Sequence, residues 1–512
     1  MPQSLKNILK IALGTFGSRI LGLLRDILTT AFIGVNAVSS AFVLGFNIPN
    51  LFRRLMGEGA LSTAFVPIFS QALKESGENR AFDFLNKIAT RAMLALVFLV
   101  ALGVGVSACV YFTPDIPTRY VLGAQFSALM MPYMILICLA ALLCAALNVL
   151  GRFALPALTA VWLNVALISS IVLAGAALNL DAKNIALFMC GGVLLGGALQ
   201  FFIPFFELRG LGWKYKFDLS PSREISEFTK LFLPALAGAA VIQINMFVSQ
   251  LLAISIDNTA ASAIYISSRL VELPLGLFTF SIVAVYFPKL ASLSSAENSG
   301  AYASEFSNGL ISLMFISIPA ALGLASLNRE ILSLVFQWGN FDSGDVNICS
   351  PILAISALGI PFYSLATYSS RGFHSLKDTK TPVKISAAAF FINIGAALCL
   401  IASLGARALA LANVISGAFQ AAALGFLFWR KKSVESSLWE IAKILASSAA
   451  MLAFIFASKN ILAAHFSGKT YALAAVCAVI PAAVCVYALA LFALKFRGFN
   501  DIKNLLKRRA AK

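Results

Sequence analysis

Apolar runs long enough to cross a lipid bilayer recur from one end of this 512-residue chain to the other. A membrane-spanning helix needs about 20 consecutive, mostly apolar residues. Runs of that kind, bounded by charge, Pro/Gly or polar clusters, fall at about 8–34, 37–70, 88–112, 120–150, 155–179, 184–206, 226–255, 260–290, 306–327, 346–372, 382–403, 407–429, 437–458 and 470–494. Each length suits a tilted helix. Only 12% of the residues are charged, against about 25% in soluble domains. A chain that is 60% hydrophobic would need, in water, a larger core than domains of this length build. The expected fold class is therefore an all-α polytopic membrane protein of about 14 transmembrane helices.

The net charge of +17 admits a nucleic-acid surface or cytoplasmic membrane loops, and the distribution decides between them. Placing the N-terminus inside puts about 27 Lys and Arg residues in the inside segments, from Lys6 and Lys10 to the tail, and about 6 outside: Arg119, Lys183, Arg329, Arg407, Lys459 and Lys469. That bias is the positive-inside signature, with both termini cytoplasmic. No nucleic-acid partner is expected. The basic start, Met1 to Lys10, runs into the first span with no small-residue cleavage site, so it reads as part of that helix and not as a removed signal peptide. The eight cysteines form no C-x-x-C pair and mostly lie in apolar runs, where they act as small packing residues. With His374 and His465 the only histidines, no zinc site or His-based catalytic group can be assembled. The expectation is a protein without metal or cofactor, and not an enzyme.

An internal repeat is visible in the prolines. Pro49, Pro67 and Pro156 are matched by Pro274, Pro288 and Pro382 at an offset of roughly 220–226 residues, and Asn164 and Asn393 follow in the next helix of each half. A repeat of six helices leaves both halves pointing the same way, as in transporters built from parallel repeats. Gly191-Gly192 and Gly196-Gly197 predict close helix packing. The basic tail from Lys495 to Lys512 suits an interfacial helix on anionic lipid.

Charge inside the spans carries the chemistry. Arg19, Arg25 and Asp26 lie in the first run, Arg53, Arg54 and Glu58 in the second, and Arg269 and Glu272 in the eighth. Five arginines facing lipid would cost on the order of 10 kcal/mol, so they must meet water or acidic partners. Helical spacing puts Arg19 and Asp26 on one face, turns Arg25 about 120° away, and lets Arg54 pair with Glu58 and Arg269 with Glu272. Arg19 and Arg53, with Arg25 open between the two cases, are then left without an adjacent carboxylate, to bind an anion or to pair across helices as struts. The excess of basic over acidic residues favours an anion. Guanidinium forks match phosphate and carboxylate bidentately, and several of them suit a diphosphate. Pro49 and Pro274 each remove a helix hydrogen bond, which serves equally as a gate hinge or a static kink; Gly57 and Gly59 flank Glu58.

These residues resemble a known family. Ser18-Arg19-Ile20-Leu21-Gly22 with Arg25-Asp26, Phe46-Asn47-Ile48-Pro49-Asn50-Leu51-Phe52-Arg53-Arg54, Glu58-Gly59-Ala60 and Ala64-Phe65-Val66-Pro67 look like the N-terminal signature of the MurJ (MviN) lipid II flippases of the MOP exporter superfamily. Ser268-Arg269-Leu270 with Glu272-Leu273-Pro274, Phe336 to Phe341, and Asp378-Thr379-Lys380-Thr381-Pro382-Val383-Lys384 resemble later family motifs. The resemblance implies two pseudo-symmetric six-helix lobes plus two C-terminal helices, a MOP/MATE-like arrangement in the bacterial inner membrane. It implies an N-lobe over 1–207, a cytoplasmic linker over 208–225, a C-lobe over 226–430, two helices shaping a lipid-tail groove over 431–497, and a basic cytoplasmic tail over 498–512. Family arginines map to Arg19, Arg25, Arg53 and Arg269 as substrate-binding residues, with Asp26, Arg54, Glu58, Glu272, Pro49 and Pro274 as cavity or gating positions. Ser40 and Ser249 stand where many members carry aspartates linked to gating or cation binding. That departure leaves the coupling ion open between membrane potential and a cation gradient.

The expected function is a flippase that carries the undecaprenyl-diphosphate-linked peptidoglycan precursor, lipid II, to the outer leaflet by alternating access. Expected partners are lipid II, membrane lipids and the cell-wall synthesis machinery. The competing readings are a flippase for another polyprenyl-linked glycan and a MATE-type multidrug exporter; a cation exporter calls for acidic residues where this chain has arginines.

Overall fold

The apolar runs become helices in the computed structural model, which describes residues 3–55, 61–294, 299–432 and 438–497. Gly57, Glu58, Gly59 and the basic tail over 498–512 lie outside the described residues. In chain order the helices are α1 (Gln3–Ile33), α2 (Ala37–Leu55), α3 (Leu61–Phe112), α4 (Thr118–Met130), α5 (Tyr133–Val149), α6 (Ala154–Ile171), α7 (Ala182–Gly210), α8 (Arg223–Ile256), α9 (Ala260–Pro274) and α10 (Phe280–Ser292). They continue as α11 (Ser299–Ser326), α12 (Asn328–Phe336), α13 (Ser343–Leu358), α14 (Ile360–Ser375), α15 (Lys380–Leu404), α16 (Ala406–Lys432), α17 (Leu438–His465), α18 (Gly468–Ala474) and α19 (Ile480–Ala493). π-Helical segments follow α6 (Val172–Ala177), α9 (Leu275–Thr279) and α18 (Ala475–Val479). No strand occurs among the described residues.

By length and composition, ten helices among the described residues can cross a bilayer, or eleven if α4 and α5, bent by 44°, count as one span. The expected fourteen would also need α1, α2 and α8. Two of those three carry the arginines of the first two runs, so the charge that marks them also lowers their apolar signal. Phe98 on α3 is 68% exposed and Phe391 on α15 is 71% exposed, surfaces that only lipid covers without cost.

The charged segment between the second and third runs is helical as well. Gln71, Ala72, Leu73, Lys74, Glu75 and the residues after Glu78 are good helix formers, so the polar connection adopts the same conformation as the spans. Gly77 alone breaks it, at φ 76° and ψ −175°, a conformation that a Cβ disfavours.

The chain divides into two compact units: Met1–Ser262 with Trp338–Phe341, and Ala263–Gln337 with Asp342–Lys512. In the first unit one apolar core joins Phe42, Phe46, Phe126, Met130, Tyr133, Leu167 and Cys190, and another joins Phe65, Phe69, Phe84, Leu85, Leu143 and Trp213. The glycines of α7 allow close approach there: a Cβ on Gly196 would lie 2.9 Å from the Leu163 backbone, one on Gly192 would clash with Ser170, and one on Gly197 would lie 2.5 Å from Tyr133. The connection between α7 and α8 is strapped down. Trp213 Nε1 donates to Asn86 (2.9 Å), and Arg91 donates to the carbonyls of Leu219 (2.8 Å) and Ser220 (3.0 Å). Residues 338–341 close the end of α1, where helix carbonyls lack partners. The Asn340 backbone N–H donates to the Ala31 carbonyl (2.7 Å) and its side chain donates to the Phe32 carbonyl (2.6 Å).

The second unit has its own core around Tyr302, Phe306, Tyr368, Phe373 and Phe428. Its last helices are held by buried ion pairs. Glu330 on α12 accepts from Lys459 of α17 (2.7 Å) and from Tyr471 of α18 (3.2 Å), while Lys443 and Glu440 pair within α17 at 2.7 Å.

Candidate substrate-binding arginines

Helix α1 presents its charges in two ways. Arg19 is exposed and has no hydrogen-bond or ion-pair partner among the described residues. Arg25 is tied down: its side chain is 11% exposed and that of Asp26 is 6% exposed. Arg25 Nε and Nη2 both donate to Asp26 Oδ1, at 3.0 and 2.7 Å, and Nη1 donates to Asn164 Oδ1 on α6 at 3.1 Å. Helix spacing had put Asp26 on the face of Arg19, yet Asp26 pairs with its sequence neighbour. Adjacent residues on a helix do not normally face each other. Here the flexible arginine stem bends around, because an uncompensated buried charge costs more than the bend.

On α2, Arg53 and Arg54 are half-buried. Arg53 Nε donates to Asn50 Oδ1 at 2.6 Å, one turn earlier. The expected Arg54–Glu58 pair falls on residues outside the described set. In the described parts of α1 and α2, Arg19, Arg25, Arg53 and Arg54 face one acidic residue, Asp26. Pro49 is buried inside a continuous helix.

Ser40, where the resemblance leads to an expected aspartate, is fully buried. Its hydroxyl donates to the Asn258 carbonyl (2.8 Å), lies 3.1 Å from Ser262 Oγ and accepts from the Ser262 backbone N–H at 3.3 Å. It closes α2 onto the α8–α9 turn. Ser249 on α8 is half-buried.

In the second unit, Arg269 on α9 pairs with Glu272 as the three-residue spacing predicts, Nη1 to Oε2 at 2.9 Å. Nη2 donates to the Tyr265 hydroxyl at 2.9 Å, and the guanidinium carbon lies 4.6 Å from the Tyr265 ring centre. The Arg269 side chain is 29% exposed and that of Glu272 is 50% exposed. Pro274 ends α9 and a π-helical turn follows it at once. The two prolines matched by the repeat thus sit in different local structures.

Sequence reasoning placed the charges but missed their uncharged partners Asn50, Asn164 and Tyr265. A signal existed for Asn164, since an amide in an apolar helix must find hydrogen-bond partners. Among the described residues, no group of three or more His, Cys, Asp or Glu side chains could hold a metal ion.

The family model described as "Lipid II flippase MurJ" matches residues 29–481. A protein of Rhizobium meliloti named probable lipid II flippase MurJ is 29% identical over 514 residues, covering 97% of this chain and 95% of that protein. The Haemophilus influenzae protein of the same name is 32% identical over 407 residues, covering 74% and 78%. Among solved structures, a lipid II flippase MurJ in an inward closed conformation aligns with a TM-score of 0.80 at 26% identity, covering 96% of this chain and 99% of that one. An inward-facing MATE-family multidrug resistance transporter of the MOP superfamily aligns with a TM-score of 0.66 at 13% identity, covering 83% and 98%, which is a likeness of fold.

Proposed function

This chain belongs to the lipid II flippase MurJ family, and from that we propose that it carries lipid II from the cytoplasmic to the outer leaflet of the bacterial inner membrane by exposing its binding arginines alternately to the two sides. It is a multi-span membrane transporter; both termini are cytoplasmic in this reading, as the basic bias of the inside segments requires.

The observation that carries the reading is Arg19: an exposed guanidinium with no hydrogen-bond or ion-pair partner among the described residues, on a helix whose described part holds two arginines and a single carboxylate, Asp26. A charge of that kind cannot face hydrocarbon cheaply, and it is free to take the bidentate hydrogen bonds of a phosphate. Arg19 and Arg53 bind the diphosphate. Arg269, poised by Tyr265 and Glu272 on its own helix, binds anionic groups of the headgroup. Arg25 holds α1 in place and lends positive potential. The polyprenyl tail stays in lipid along the C-terminal helices. Membrane potential resets the empty transporter, since each charge crossing 100 mV gains about 2.3 kcal/mol.

Depletion in living cells, with the leaflet distribution of lipid II as readout, tests the function. Accumulation of lipid II on the cytoplasmic leaflet is expected; an unchanged distribution overturns the proposal. Complementation by Arg19→Ala, Arg53→Ala and Arg269→Ala tests the residues, and full rescue by all three would make the arginines structural.

A further inference from the structure

Asn164 sits on α6 with 6% exposure, and every polar atom of its amide is engaged. The Nδ2 group donates to the Ser18 carbonyl on α1 at 3.1 Å and to the Ala160 carbonyl, one turn back on its own helix, at 3.1 Å. Oδ1 accepts from Arg25 Nη1 at 3.1 Å. The orientation of the amide is fixed by its surroundings: flipping it would set an oxygen against two carbonyls and an NH2 against a guanidinium.

The two points held on α1 are two helical turns apart and share a face. Between them lies Gly22, where an added Cβ would stand 3.9 Å from Asn164 Nδ2. One side chain therefore grips α1 above and below its contact with α6. The upper grip has a particular consequence, because the Ser18 carbonyl belongs to the peptide that leads into Arg19. A helix held at two points on one face cannot roll about its axis. A roll of about 20° would carry a group about 6 Å from the axis sideways by about 2 Å, enough to remove a bidentate contact.

We propose that Asn164 is a positioning residue that fixes the roll of α1 and thereby aims Arg19 at the diphosphate of the transported lipid. The inference rests on the diphosphate reading given above. Asn164 touches no substrate and acts through Arg19.

The test is a double-mutant cycle between Asn164 and Arg19 in the purified full chain, with undecaprenyl diphosphate as probe and binding followed by native mass spectrometry. Asn164→Ala is expected to weaken binding about five-fold in the wild-type background, the scale of one lost hydrogen bond, and to leave binding unchanged when Arg19→Ala is already present. Asn164→Asp keeps the acceptor for Arg25 but turns an oxygen toward the Ser18 carbonyl. It should lose affinity as Asn164→Ala does, and in the Arg19→Ala background that loss should vanish for both variants, which separates aiming from folding. Equal fold losses in the two backgrounds, or wild-type affinity in Asn164→Ala, overturn the inference alone. Wild-type affinity in Arg19→Ala overturns the diphosphate reading and this inference with it.

Discussion

Arg25 in the first unit and Arg269 in the second are both charged groups within apolar helices, both with a carboxylate in reach, and they are held in opposite ways. Arg25 reaches across to another helix, spending Nη1 on Asn164 of α6 and two further donors on one oxygen of buried Asp26. Arg269 meets Tyr265 and Glu272 on its own helix, and Glu272 is half in solvent. The first arrangement fixes a helix. The second sets a guanidinium beside a half-exposed carboxylate, which an incoming anion displaces under the proposed function. Carrying a guanidinium inside a span does not by itself make a residue a ligand; its partners decide.

The largest expected effect breaks the first arrangement. Asp26→Ala leaves Arg25 buried without its carboxylate and should destabilise the protein by about 3–5 kcal/mol, read as a large fall in melting temperature in detergent. The double variant Arg25→Met with Asp26→Leu should recover most of that loss, because replacing a buried pair with apolar groups is often neutral. A double variant as unstable as Asp26→Ala would mean that the pair is more than a strut. The far end of α1 offers a second break. Gly339 has φ 57°, and a Cβ there would collide with the Ala31 carbonyl. Gly339→Ala should cost about 1–3 kcal/mol through strain and the displaced cap. Hydrogen exchange should rise over residues 29–34 while the α6 contact at Asn164 stays protected. Uniform exchange along α1 would show that its two anchors are one cooperative unit.

How far the sequence foretold this contrast depends on which interactions are local. Helical spacing alone gave Arg269 with Glu272, because both lie on one face of one helix. The same rule gave Asp26 a face shared with Arg19 but no partner, because its pairing with Arg25 accompanies burial against α6, which spacing within α1 does not encode. The apolar runs gave most of the helices, since hydrophobic length is a property of each segment by itself. They missed the helical stretch through Gly77, where the residues are polar yet good helix formers. Ser40 was legible only through the resemblance, as a departure from an expected aspartate. That its hydroxyl closes α2 onto the α8–α9 turn depends on residues about 220 positions away. The placement of Glu58 lies outside the described residues and stays an expectation of the motif.

Substitutions on α9 sharpen the second arrangement. Arg269→Ala should weaken lipid II binding about ten-fold, and Arg269→Lys should not restore it, because an ammonium lacks the planar fork. Glu272→Gln should leave the unfolding free energy within about 0.5 kcal/mol of wild type, as expected of a partly exposed pair, and should hold or raise affinity by removing the competing carboxylate. Weaker binding in Glu272→Gln would mean that the glutamate orients Arg269 and is not displaced by the anion.

The smallest effect comes from a pair with the same geometry in water. Arg80 and Glu224 approach to 2.7 Å, as Arg25 and Asp26 do, but the Arg80 side chain is 53% exposed. Partial burial works against the Glu224 charge, but its backbone N–H, the Arg80 guanidinium and the Ser222 hydroxyl outweigh it and lower the carboxyl from an ordinary 4.5 to about 2. A carboxyl lowered by folding stabilises the folded state fully above its unfolded value and loses that contribution as pH falls toward its folded value. The window is therefore between about 4.5 and about 2. Exposure and screening keep the contribution under about 1 kcal/mol. Melting temperatures of the wild type and Glu224→Gln should differ slightly at pH 6 and converge only as pH falls to about 2. A gap at pH 6 as wide as that of Asp26→Ala would show that burial is not what separates the two pairs, and the strut reading of Arg25 would then need a cause other than its apolar surroundings.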